Sequence, residues 1–365
     1  MANSVYLHIP FCKSICSYCD FCKVFYNEEI CSKYLDRLKE EIINNYNNEE
    51  LYTLYIGGGT PSTLSINNLN KLFDIVKLFR LDYVKEFTFE CNIQDINEEL
   101  LSILKSNKVN RLSIGIETVN KEGQELLNRV YSKEDITSRI NLAKKYFNNI
   151  NLDLIYAYKD ETLDVLKEDL EFITSFNPEH ISCYSLILEE HTKLYIDKIK
   201  PIDEELDNKM YYFICKYLKE MGYNHIEVSN FAKDGFNPLH NLVYWDNKEY
   251  YGFGCGASGY INNKRYSNSR SITKYLDGII DREYEDIDIN KNMEYEMILG
   301  LRKIKGVSIS EFYNKFNKDI KEVFDIDNLI KEGLLNIDED YIYIPEDKIY
   351  ISNSILVNFI GGVSD

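Results

Sequence analysis

Six short apolar runs, each followed by a helical pattern, predict an α/β chain whose βα units curl into an incomplete barrel, with a small helical domain behind it. Three observations carry that expectation. The runs recur at a regular pace, the stretches between them hold helix start signals, and the pattern changes character after about Asn237. At 365 residues and 44% hydrophobic content, the chain has material for one large α/β domain of about 200 to 250 residues plus an appendage.

The predicted strands lie near Val5 to Ile9, Leu51 to Ile56, Glu86 to Cys91, Arg111 to Gly115, Asn151 to Ile155 and His180 to Leu186. Between them Ser65 and Asn97 suit helix N-caps, and Ser132 with Asp135 resembles a capping box ahead of "ITSRINLAKKYF". A sixth helix, about Asp203 to Met221, leads into "GYNHIEVSNFA". Crossovers of this length are right-handed, so six units bend the sheet most of the way round. From Asn237 to about Tyr275 the Gly- and Tyr-rich text predicts strands and turns. From Lys291 onward helical segments precede a hairpin at "LLNIDEDYIYIP". The chain thus divides into a partial barrel over 1–236, a strand-rich segment over 237–285 and a helical domain over 286–365.

A net charge of −18 with no Lys/Arg cluster excludes a nucleic-acid surface, which needs a basic stripe to meet phosphates. No apolar run approaches the roughly 18 residues that cross a bilayer, and no secretory signal opens the chain, so a cytoplasmic location is expected. Thiols stay reduced there, so the nine cysteines do not form a disulfide framework. Cys31, Cys91, Cys183, Cys215 and Cys255 stand singly and read as small buried apolar residues.

The other four cysteines crowd into "FCKSICSYCDFC", directly after the first strand. Active sites of parallel barrels sit at the C-terminal strand ends. Here those ends carry this loop, then Gly57-Gly58-Gly59-Thr60-Pro61, Glu90 with Asn92, and Glu117, while the fifth strand carries Asp153. Cys12, Cys16 and Cys19 put three thiolates on one tight loop. A cubane iron-sulfur cluster normally takes four, so three leave one iron open. Structural zinc is the rival; it needs four closed ligands and would recruit Cys22. The glycine run is an ordinary turn if it stands alone, and a ligand-contacting backbone if it lies beside a cluster.

With Tyr18 ahead of its third cysteine, the loop resembles the radical S-adenosylmethionine superfamily. That resemblance implies a 4Fe-4S cluster on Cys12, Cys16 and Cys19, whose open iron is chelated by S-adenosylmethionine, and an electron donor to reduce the cluster. One electron then breaks a carbon-sulfur bond to give a deoxyadenosyl radical. The strings "YLHIPFC", "YIGGGTPS", "RLSIGIET", "NLDLIYA", "HISCYSLILEEHTKLY", "EVSNFA", "HNLVYW" and "LGLRKIKGV" run in order along nearly the whole chain. They are similar to the oxygen-independent coproporphyrinogen III oxidase family. By that likeness Tyr6, Tyr18, Gly58, Gly59, Thr60 and Glu90 line the S-adenosylmethionine site, with Glu117, Arg129 and Asp153 further along the same face.

This family has a decarboxylase branch and a haem chaperone branch. The decarboxylases resemble Cys-x3-Cys-x2-Cys-x-Cys behind a long extension, whereas this chain begins almost at the motif and has Phe21 at the fourth cysteine position, with Cys22 one residue late. "HNLVYW" resembles a chaperone-branch motif associated with haem, which implies His240 as an axial iron ligand beside Tyr244 and Trp245. Haem and a client haemoprotein are then the expected partners, and coproporphyrinogen decarboxylation is the alternative activity. Three positions depart from the family pattern: Glu117 replaces Gln, Tyr131 replaces His, and "YAYKDET", with Lys159 and Asp160, replaces a Leu-Pro-Gly turn.

Overall fold

The computed structural model describes residues 2–362. A nine-stranded sheet carries the fold. Its strands are β1 (Ser4–Ile9), β2 (Thr53–Gly58), β3 (Glu86–Asn92), β4 (Arg111–Glu117), β5 (Ile150–Tyr156), β6 (His180–Ser185), β7 (Asn224–Glu227), β8 (Asn230–Ala232) and β9 (Tyr251–Phe253). In space they run β9-β1-β2-β3-β4-β5-β6-β8-β7, parallel from β9 through β6 and antiparallel beyond. The edge strands β9 and β7 do not pair, so among the described residues the barrel stays open. The six predicted strands are all present. Three regions differ from expectation. "GYNHIEVSNFA" folds into the β7-β8 antiparallel pair, residues 251–253 add a parallel strand beside β1, and the segment expected as strands and turns also holds short helices at Leu239–Trp245 and Ile272–Leu276. A three-residue strand that pairs Val5 with Tyr251 carries too short a pattern to be read from sequence.

The crossovers use α1 (Glu28–Asn45), α2 (Ile66–Val76), α3 (Glu98–Ser106), α4 (Lys121–Leu127), α5 (Lys133–Ala143), α6 (Leu163–Ser175) and α7 (Glu204–Glu220). Ser65, Asn97 and Ser132 cap α2, α3 and α5 by accepting backbone N–H bonds, each worth about 1 kcal/mol. Asp135 meets the Ser132 hydroxyl at 2.8 Å, so that pair closes through the side chains; a capping box would reach back to the Ser132 backbone N–H.

Parallel strands covered on both faces usually read as continuous apolar runs. Here one face only is apolar. Val5, Leu7 and Ile9 of β1, Leu54 and Ile56 of β2, and Leu112, Ile114 and Ile116 of β4 are buried in the main hydrophobic cluster. The alternate residues Tyr55, Glu90, Ser113, Asn151, Asp153 and Ser182 face the concave side and line a cavity of about 340 Å³. The barrel interior is therefore built to hold a ligand.

A short helix, α8 (Leu239–Trp245), closes the N-terminal end of the barrel: its Leu239 N–H donates to the Glu86 carboxylate at 2.8 Å, at the start of β3. An antiparallel sheet of β10 (Ser258–Ile261), β11 (Lys264–Asn268) and β12 (Arg282–Asp286) follows. It is tied to the barrel through Glu41 of α1, which is 0% exposed. That carboxylate accepts from Arg282 Nη2 (2.8 Å), Asn268 Nδ2 (3.0 Å), the Gly254 N–H (2.9 Å) and the Tyr275 hydroxyl (2.6 Å). The chain ends in α9 (Ile289–Gly300), α10 (Ile309–Phe316), shorter helices, and a small sheet of β13 (Val307–Ser308), β14 (Asn336–Asp338) and β15 (Tyr341–Tyr343). β14 and β15 form the expected hairpin. No described helix is long and apolar enough to cross a membrane.

Arg282→Met leaves the buried Glu41 charge without its cation and is expected to cost about 3 to 5 kcal/mol in urea unfolding; adding Glu41→Gln should recover much of that loss. Ala157, just past β5, sits at φ +60, a left-handed conformation that disfavours any Cβ by about 1 to 2 kcal/mol. Ala157→Gly is therefore expected to stabilise by about 1 kcal/mol in the same assay.

Candidate functional site

The cysteine loop leaves β1 at Pro10. Phe11–Cys12 forms a two-residue parallel pair with Val24–Phe25, so the loop returns to its own start. Its crown is held from three sides. The Ser17 N–H donates to the Leu127 carbonyl (3.1 Å), the Leu194 N–H donates to the Ser17 carbonyl (3.1 Å), and Asn128 Nδ2 donates to the Ile15 carbonyl (2.9 Å). Cys12, Cys16 and Cys19 all face the barrel cavity. Burial pushes all three thiols up, Cys12 to about 11, so iron binding there releases protons.

Cys22 does not join them. Its Sγ points away, 3.6 Å from Sγ of Cys255, while Phe21 at the fourth cysteine position is 66% exposed. With Cys22 turned away, the loop lacks the fourth closed ligand that structural zinc needs. A cubane takes each thiolate on a different iron and leaves the fourth iron open. The donor set fits the cluster.

Three glycines pack the shelf beside the loop, and their reason is internal packing as much as ligand approach. A Cβ on Gly59 would lie 2.8 Å from the Phe11 nitrogen, and one on Gly58, at φ +117, would lie 2.6 Å from the His8 ring. The backbone of the cysteine loop thus rests directly on β2: Gly59 N–H donates to the Ile9 carbonyl (2.9 Å) and Thr60 N–H to the Phe11 carbonyl (2.8 Å). The Thr60 hydroxyl points at Cys12 Sγ, 3.5 Å away.

Glu90, Asp153, Glu117 and Arg129 are among the charged residues around the open space. Glu90 accepts from the Tyr55 hydroxyl (2.7 Å) and the Gly58 N–H (2.9 Å), and burial pushes its carboxyl above the ordinary carboxylate range. Asp153 accepts from Asn151 Nδ2 (2.7 Å) and the Ser113 hydroxyl (3.3 Å); burial, then the Glu117 charge, pushes it up to about 7. Glu117 sits on a bulge of β4 at φ +68, the kind of irregularity that re-aims a side chain. Its carboxylate pairs with Arg129 at 2.9 Å. Arg129 also donates to the Tyr131 hydroxyl (3.1 Å), which in turn donates to Asn92 Oδ1 (3.1 Å). Two departures from the expected pattern, Glu117 and Tyr131, are thus bonded to one arginine.

The fold brings Tyr18, Gly58, Gly59, Thr60, Glu90, Glu117, Arg129 and Asp153 to the same cavity as the three cysteines. Tyr6 stands behind that wall and bonds His8 Nδ1 at 3.0 Å. His240 is not at the site. It is 1% exposed in α8, at the opposite end of the barrel from the cysteines, with Nδ1 2.7 Å from the Thr53 hydroxyl and Nε2 2.7 Å from the Tyr244 hydroxyl. Both ring nitrogens are hydrogen-bonded, and "HNLVYW" is the stopper of the barrel. Its Asn241, however, does reach the cavity. Also on the wall, and not singled out from sequence, are Tyr55, Arg111, Ser113, Asn151, Ser182 and Tyr184. The alternation of polar residues along the strands was the signal for them.

A family profile described as the radical SAM superfamily matches residues 6–173, and one described as the HemN C-terminal domain matches residues 290–347. The heme chaperone HemW of Lactococcus lactis subsp. lactis is 37% identical over 98% of this chain and 97% of its own length. The heme chaperone HemW of Bacillus subtilis is 35% identical over 98% and 99%. Among solved structures, coproporphyrinogen III oxidase (HemN) from Escherichia coli superimposes with a TM-score of 0.85 over 98% of this chain and 90% of that one, at 22% identity, which shows the shared fold.

Because the folded chain keeps the Asp153 proton to about pH 7, whereas an unfolded aspartate releases it near 3.9, Asp153 costs stability as pH rises between those values. Asp153→Asn removes that cost. In cluster-free protein its melting temperature is expected to exceed wild type by little near pH 4.5, by more at pH 6, and by a constant amount above pH 7.

Proposed function

Since the chain belongs to the HemW family of radical SAM proteins, we propose that it binds haem and hands it to client haemoproteins, with the cluster and S-adenosylmethionine held in the barrel mouth. The observation that carries this reading is the full-length likeness to proteins named heme chaperone, joined to the position of Phe21 and the turned-away Cys22. Cys12, Cys16 and Cys19 would hold the cluster. Tyr18, Gly58, Gly59, Thr60, Glu90, Glu117, Arg129 and Asp153 would surround S-adenosylmethionine, with Tyr6 behind them. When bound, the two groups supply one-electron cleavage chemistry, for which a reducing partner is needed. The chain's own contribution is electrostatic. Glu117 cancels the Arg129 charge where a glutamine would leave it free, so a carboxylate entering the mouth meets a weaker positive field.

Haem takes a flat apolar seat and an axial ligand, for which an imidazole is a common choice. The cavity opens through Phe21, Tyr184 and Ile187, which are 66%, 42% and 68% exposed. Of the five histidines, His8, His180 and His240 are buried, His225 is half-buried and stacked on Phe231, and His191 alone is exposed. His191 lies on the loop that starts from Leu186 at the mouth and ends at Leu194, bonded to the Ser17 carbonyl of the cysteine loop. His191 would supply the imidazole to the haem iron.

The test is anaerobic reconstitution followed by haem titration. Wild type is expected to give the absorbance band of protein-bound haem and to transfer haem to an apo-haemoprotein. His191→Ala should weaken or shift the band with iron content unchanged, and His240→Ala should leave the band in place while lowering the melting temperature. A band lost only in His240→Ala would move the ligand back to α8. Wild type that ignores haem and decarboxylates coproporphyrinogen III would overturn the chaperone reading.

A further inference from the structure

The turned-away Cys22 is not idle. Its Sγ and that of Cys255 are 3.6 Å apart, in van der Waals contact, across 233 positions of sequence. The first is 7% exposed and the second 0%. Cys255 lies in the turn after β9, and the next residue, Gly256 at φ +77, makes the approach possible: a Cβ there would stand 2.5 Å from the Cys22 Cβ. Each sulfur also faces a backbone carbonyl, Cys22 that of Arg270 at 3.4 Å and Cys255 that of Ser269 at 3.2 Å. Arg270 continues the contact by bonding Asp20 in the cysteine loop. Contact with Cys255 holds the Cys22 thiol below its ordinary range, and the same contact holds Cys255 above it.

We propose that Cys22 and Cys255 are a redox-active pair that closes into a disulfide, fastening the end of the cysteine loop to the turn after β9. A disulfide brings its sulfurs to about 2.05 Å, so closure draws them together by roughly 1.5 Å, within the reach of side-chain rotation. Cys22, the outer sulfur, attacks a small-molecule disulfide as its thiolate; one small thiolate leaves and a mixed disulfide forms on Cys22. Cys255 then loses its proton and attacks the Cys22 sulfur, expelling the second small thiolate. Two protein thiols are oxidised, one external disulfide is reduced, and the two protons end on the two released thiols. The pair lies outside the cluster ligands, so its closure keeps a surplus thiol from pairing with Cys12, Cys16 or Cys19. It also adjoins the glycine shelf, since His8 Nε2 is 2.8 Å from the Cys22 carbonyl. None of this depends on haem.

Cluster-loaded protein would be equilibrated anaerobically in buffers of increasing oxidised-to-reduced glutathione ratio, acid-quenched, alkylated with N-ethylmaleimide, digested and read by mass spectrometry. One linked peptide joining Cys22 to Cys255 is expected to rise in a single two-electron transition with iron content unchanged. Cys255→Ser should abolish the link and leave glutathione on Cys22; Cys22→Ser should leave Cys255 reduced. Wild type in which both thiols are alkylated at every ratio, in which Cys22 links to Cys12, Cys16 or Cys19, or in which iron is lost in step with the link overturns the proposal. Wild type alone decides if a variant does not fold.

Discussion

The mouth of the barrel depends on one backbone-to-backbone contact, the seating of Pro10 and Phe11 on Gly59. No side chain intervenes, and none fits, because a Cβ at Gly59 would sit inside the contact distance of the Phe11 nitrogen. The consequence runs outward along the chain. With Gly59 and Thr60 bonded to the carbonyls of Ile9 and Phe11, Cys12 is fixed beside the Thr60 hydroxyl. With Gly58 open, the His8 ring fills the space its Cβ would take and reaches the Cys22 carbonyl. With Gly57 open, the Glu90 carboxylate lies across β2, close enough that a Cβ would stand 2.6 Å from it. Three glycines thus set the cysteine loop, an imidazole and a carboxylate in one register.

That arrangement explains which parts of the molecule sequence reasoning reached. The strands were legible because their outer faces alternate with period 2 and their helices begin at Ser65, Asn97 and Ser132, whose caps are local chemistry. The cysteine loop was legible because its spacing is short-range. The position of His240 was not legible because a motif names residues without saying which end of a barrel they occupy. Only the bonds from α8 to Thr53 and Glu86, at the starts of β2 and β3, show it to be a plug. Cys255 read as an inert buried thiol, and its contact with Cys22 spans too much chain for any local pattern to carry. The tie from Glu41 to Arg282 was invisible for the same reason.

The cavity is an unusual electrostatic compartment for so acidic a chain. Three carboxylates, Glu90, Glu117 and Asp153, share it with two arginines and Lys23, yet among the described residues only Glu117 and Arg129 of these form an ion pair. Arg111 at the base bonds neutral partners, His180 Nδ1 at 2.7 Å and the Thr88 hydroxyl at 3.2 Å. Glu90 and Asp153 are held toward their neutral forms by burial. The Glu117–Arg129 pair is therefore in local charge balance, while Arg111 leaves the floor positive. Replacing Glu117 by glutamine would break that balance at the rim without touching the floor.

The replaced turn after β5 shows how a departure from a family pattern is stabilised locally. Where the resembled proteins have Leu-Pro-Gly, this chain has Ala157 and Asp160 at φ +60 and +64, conformations that glycine would adopt without strain. Glu161 supplies the compensation. Its Oε2 accepts the Ala157 N–H, closing the turn on itself, and burial, then the nearby Asp169, pushes its carboxyl up to about 9. A carboxyl that stays protonated can be buried there without a cation. Asp169 in turn accepts from the Thr118 hydroxyl (2.6 Å) and the Val119 N–H (2.8 Å), immediately after the Glu117 bulge. The turn after β5 also meets the segment beyond the bulge directly, because the Tyr158 hydroxyl lies 3.4 Å from the Thr118 hydroxyl that Asp169 accepts from, so the two departures share one buried hydrogen-bonded contact.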